Sequence, residues 1–97
     1  MTTAPKTLHL NLKAEYFDAI KAGTKLFEYR RRSPFWSRII EGKEFDQVLI
    51  KCGYPPRDST DRILARAWQG YEVQTITHPL FGPDPVEVFA IRVGVAL

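Results

Sequence analysis

The sequence predicts a small α+β domain of about five or six strands, with one helix between the first two. Three observations carry this. Alternating leucines open the chain, an aromatic stripe at helical spacing follows, and short apolar runs punctuated by glycine and proline fill the rest. With 97 residues and 44% hydrophobic content, the chain suffices for one domain, residues 1–97, around a single modest core.

"TLHLNL" sets Leu8, Leu10 and Leu12 against His9 and Asn11, the period of a half-buried strand. "KAEYFDAIKAG" has Tyr16, Phe17 and Ile20 at helical spacing, with Gly23 where a helix terminus wants it. A charged strand runs from Lys25 to Arg32. "SPFWSRIIEG" opens on a Ser-Pro break and predicts one or two helical turns before Gly42. "FDQVLIKC" is a strand through Phe45, Val48 and Ile50. The paired prolines of "GYPPRDST" mark a loop. "DRILARAWQGYEVQTITH" reads as one long strand, bent at Gly70. "PLFGPDP" is a second loop, and "VEVFAIRVGVAL" closes the chain as a strand.

Composition excludes several classes. One cysteine, Cys52, allows no internal disulfide, and with His9 and His78 it offers no zinc-like spacing. No metal or cofactor is implied. No apolar run of signal-peptide or membrane length appears, so a soluble, cytoplasmic protein without a membrane partner is expected. The net charge of +3 is mild. Its distribution says more, because seven of the 14 Lys and Arg (Lys21, Lys25, Arg30, Arg31, Arg32, Arg38 and Lys43) fall in one short region. Such a cluster suits an anionic partner.

Alternation along the charged strand puts Glu28 and Arg30 on one face and Phe27 and Tyr29 on the other, with the two aromatics expected to enter the core. A solvated edge with a surface ion pair is the plain reading. The functional one is a polar cleft in which Lys25 joins Glu28 and Arg30.

The stretch "AEYFDAIKAGTKLFEYR" resembles the signature of the ASCH family, within the PUA-like β-barrel superfamily. That signature, I-x-x-G-x-K-x-x-E-x-R after an aromatic-containing helix, is met by Ile20, Gly23, Lys25, Glu28 and Arg30. "EG" before "FDQVLI" and the terminal "VEVFAIRV" are similar to later elements of the family. The resemblance implies a small PUA-like β-barrel with a cleft beside its first helix, lined by the Lys, Glu and Arg, that receives RNA or a modified nucleoside. Some relatives hydrolyse acetylated cytidine and some are credited with RNA cleavage. In the amidohydrolase pattern a threonine nucleophile stands at the position of Glu28, and here the sequence departs.

The expected function is therefore binding of RNA or a nucleotide-sized ligand around Lys25, Glu28 and Arg30. Arg31, Arg32, Trp36, Tyr54 and Arg57 are further candidates, because bases stack on aromatics while phosphates need cations. For Trp36 alone, packing of a short helix is preferred. Were the protein a hydrolase of RNA or of a modified nucleoside, Lys25 and Glu28 would be its catalytic pair, as electrostatic stabiliser and general base. A protein-interaction module is the remaining alternative.

Overall fold

The computed structural model describes residues 4–97, leaving positions 1–3 of the stretch read as free of a signal sequence outside the described residues. Its elements, in order, are β1 (Thr7–Leu12), α1 (Ala14–Lys21), β2 (Phe27–Arg31), α2 (Pro34–Ile40), β3 (Gln47–Cys52), β4 (Ile63–Ala67), β5 (Tyr71–Ile76), a 3-10 turn (Pro79–Phe81) and β6 (Val86–Arg92). This is the expected small α+β domain, in two three-stranded sheets ordered β1-β3-β4 and β2-β6-β5. No helix among the described residues is long and apolar enough to cross a membrane.

β1 and β3 pair in parallel, Leu8 beside Val48 and Leu10 beside Ile50. A parallel pair needs a long crossover, and α1, β2 and α2 supply it. The helices form where the sequence favours them. Phe17 and Ile20 bury one face of α1, and Ser33 caps α2 by accepting a hydrogen bond from the Trp36 N–H at 3.2 Å, with Pro34 at the first helical position.

The core lies between the sheets. Leu8, Leu10, Val48 and Ile50 join Phe89, Ile91 and Val93 in it, with Ile20 of α1 and Ile40 of α2 buried among them. Val88 through Ile91 are all fully buried, so β6 is covered on both faces. Full burial of each large side chain contributes roughly 1.5–3 kcal/mol.

After β6 the chain leaves one sheet for the other. The Val93 N–H donates to the Leu26 carbonyl at 2.9 Å, and the Ala67 N–H donates to that of Val95 at 2.9 Å. The terminal segment thus stitches β4 to the β2-β6-β5 sheet. On the opposite side β1 and β2 are both edge strands, and no ladder joins them.

Two expectations need correction. The stretch from Asp61 to His78 is two strands in different sheets. Gly70, at φ +78°, sits in the corner between them. Phe27 and Tyr29 are half-buried and lie outside the core. The reason is register: Glu28 pairs with Ile91 and Arg30 with Phe89, so the core-facing phase of β6 draws the charged phase of β2 inward.

Gly70→Ala forces a side chain into the left-handed region and should cost about 1–2 kcal/mol, read as a lowered urea midpoint with unchanged slope.

Candidate functional site

The site begins with the end of α1. The Thr24 N–H donates to the Ala19 carbonyl at 3.0 Å and the Gly23 N–H to that of Ile20 at 3.1 Å, with Gly23 at φ +82°. This double closure needs a left-handed residue, which glycine adopts without penalty. It turns the chain sharply, and the Lys25 N–H also donates to the Ala19 carbonyl, at 3.1 Å. The spacing from Gly23 to Lys25 therefore sets where the lysine leaves the helix.

Glu28 is the one buried charged residue among those described, 7% exposed. Its Oε2 accepts from an Arg30 guanidinium nitrogen at 2.7 Å, and its Oε1 lies 3.7 Å from Lys25 Nζ. The same Arg30 nitrogen donates to the Asn11 carbonyl at 3.0 Å. Arg30 thereby bridges the open side of the fold, from β2 to β1. Its guanidinium lies 5.0 Å from the Trp36 ring centroid, while its Nε is buried without an acceptor among the described residues. That orphaned donor costs stability, so the remaining contacts must hold the side chain in place.

Lys25 is held differently. Its ammonium lies over the rings of Tyr29 at 4.6 Å and Tyr16 at 5.6 Å, and its distance to Glu28 exceeds a hydrogen bond. A half-buried ammonium with three donors and only a loose carboxylate partner is prepared to donate to an incoming oxygen.

Along the gap between β1 and β2 lie three neighbouring compartments of about 50, 260 and 480 Å³, each sharing lining residues with the next, which together form a cleft. The innermost is lined by Lys25, Glu28, Tyr16, Tyr29, His78 and Phe81. The middle one adds Asn11, Lys13, Arg30, Arg31 and Trp36. The outermost runs past Arg30 and Trp36 to His9, Phe35, Phe45 and Tyr54.

Of the residues expected from sequence, Lys25, Glu28, Arg30, Arg31, Trp36 and Tyr54 thus line this row of neighbouring compartments. Trp36 also packs on the core, as preferred for it. Arg32 and Arg57 line none of the three compartments. Arg32 is paired with Glu41 at 2.7 Å and Glu87 at 3.6 Å, and the Glu41 hydrogen bond raises its already high pKa. Arg57 is exposed in its loop.

Sequence reasoning missed Tyr16, Tyr29, Phe81 and His78 as lining residues. His78 packs against Tyr16 and Phe81, and its Nδ1 accepts from the Leu80 N–H at 3.1 Å, which leaves the proton of the neutral ring on Nε2. No local signal marks it, because the contact joins α1 to a turn near the other end of the chain. His9, in the outer compartment, has its pKa lowered from 6.5 by desolvation and then by Lys51. Among the described residues no group of three or more His, Cys, Asp or Glu side chains is arranged to hold a metal.

Comparisons with protein-family models, curated proteins and solved structures find no match to this chain.

Arg30→Ala strips Glu28 of its one short ionic partner and opens the bridge to Asn11. A loss of about 2–4 kcal/mol is expected in chemical denaturation, discounted from a fully buried pair because both side chains keep some solvent contact. Arg32→Ala should lower stability much less, since its partners are solvated.

Proposed function

We propose that this chain is an ASCH-type, PUA-like domain that binds RNA or a nucleotide-sized ligand in the cleft between β1 and β2. The two sheets, stitched on one side and bridged by Arg30 on the other, are on this reading the halves of a small barrel. The observation that carries the proposal is the buried Glu28 carboxylate between Arg30 and Lys25, at the floor of a cleft walled by aromatic rings. Burying one carboxylate and half-burying two cations beside it is costly, and neighbouring hydrophobic strands would be the cheaper way to fill a seam. Turned toward a cleft, the same groups supply what a nucleotide needs. Glu28 accepts from a base amine, Lys25 donates to a carbonyl or phosphate oxygen, and Tyr16, Tyr29 and Trp36 offer stacking surfaces.

Binding is favoured over hydrolysis. A covalent route needs a nucleophile near Lys25, and Glu28 stands where the amidohydrolase pattern has threonine. The neighbouring Thr24 hydroxyl is exposed and donates to the Ala19 carbonyl at 3.1 Å. Acylation of Glu28 would give a mixed anhydride, a poor outcome for amide cleavage. The protein-interaction alternative would use another surface, the apolar recess at Leu26, Phe27 and Val95.

The test is titration of a short single-stranded RNA by fluorescence anisotropy across 50–200 mM salt. Affinity should fall linearly in log–log terms, by roughly 0.7 per phosphate contacted. Lys25→Ala should cost about 1.5–3 kcal/mol of binding, and Arg31→Ala should flatten the slope by about one contact, with Arg32→Ala doing less. No acetate should be released from acetylated cytidine. Salt-independent binding, no binding at low salt, or turnover abolished by Lys25→Ala and Glu28→Ala would each contradict the proposal.

A further inference from the structure

We infer that the cleft takes two consecutive nucleotides of single-stranded RNA, with the linking phosphate at its middle. This rests on the RNA-binding reading above and extends it from a single nucleoside to a dinucleotide step. The order of side chains along the cleft carries it. At the inner end Tyr16, Tyr29 and Phe81 surround the Lys25–Glu28 pair. At the outer end Trp36, Phe35 and Tyr54 line the largest compartment, about 480 Å³. Between them lie Lys13 and Arg31, both exposed and neither in an ion pair among the described residues. The middle compartment thus sets these two cations between the Tyr16 and Tyr29 rings on one side and Trp36 on the other, the arrangement that base, phosphate, base would meet.

The two ends are unequal in size. The inner compartment, about 50 Å³, is small for a whole base but admits the polar edge of one, whose ring rests on Tyr29 at the border with the middle compartment and leaves the Lys13 and Arg31 part of it to the phosphate. The outer compartment is the larger and is bordered by exposed rings. Phe35 is 59% and Tyr54 90% exposed, and Phe35 sits edge-on to Trp36 at 5.2 Å between ring centroids. A nucleoside held at Glu28 alone would leave these rings facing water. A second base covers them. Because Arg30 and Trp36 border both the middle and outer compartments, the guanidinium against the indole forms the step between the two base positions.

The experiment compares the four homodinucleoside monophosphates (adenosine, cytidine, guanosine, uridine) with the matching 5′-mononucleotides by calorimetric titration. The mononucleotides carry more charge per molecule, so tighter dinucleotide binding cannot come from charge. For at least one base the dinucleotide should bind roughly 5- to 150-fold tighter, the gain expected from one more stacked base. Tyr54→Ala and Phe35→Ala, both at exposed positions outside the core, should each reduce that ratio several-fold. Equal affinities within about twofold, or a ratio untouched by both substitutions, would overturn the inference while leaving nucleotide binding standing. Absence of binding by any mononucleotide or dinucleotide would remove both.

Discussion

The arrangement depends on a pairing that is not made. β1 and β2 are the facing edges of two sheets, and no backbone ladder joins them. An open seam in so small a domain normally invites either a strand partner or water. Here Arg30 spans it with one nitrogen, bonded to Glu28 on its own strand and to the Asn11 carbonyl across the gap. The side chain that holds the seam also forms the floor of the cleft. The fold's closure and the cleft's charged floor are therefore drawn from the same few bonds.

Two local features put those groups in place. The glycine-terminated end of α1 fixes where Lys25 emerges. The β2–β6 register then decides which phase of β2 looks inward. β6 is buried on both faces, and its Phe89 and Ile91 belong to the core, so the residues opposite them, Arg30 and Glu28, must share that interior side. The carboxylate becomes buried because its strand partner is a core residue. Its two cations are what make that burial tolerable. Lys25 then completes the charged group, 3.7 Å from the second carboxylate oxygen and lining the same compartment.

Much of this was legible in the sequence. Alternation gave β1 and β3, helical spacing with Gly23 gave α1, and Ser33-Pro34 gave the start of α2. The grouping of Lys25, Glu28 and Arg30 followed from the motif, and the structure brings the three together. What local pattern could not supply was anything fixed by long-range pairing. Phe27 and Tyr29 looked like core residues because they are aromatic, yet the register on β6 turned them away. The stretch around Gly70 read as one strand because both halves favour extended backbone, while its division between two sheets depends on which neighbours each half finds. Arg32 looks equivalent to Arg31 in sequence, but Glu41, just beyond α2, and the distant Glu87 on β6 pair with it. Tyr16 and His78 meet only in three dimensions.

Amide chemical-shift mapping with a short single-stranded RNA tests the central claim most directly, because it locates the ligand without altering a residue. Perturbations should concentrate on Asn11 to Lys13, Glu28 to Arg31, Trp36 and the turn around Leu80, tracing the seam between β1 and β2. Shifts confined to β5 or to the recess at Leu26 and Val95, with the seam silent, would contradict it.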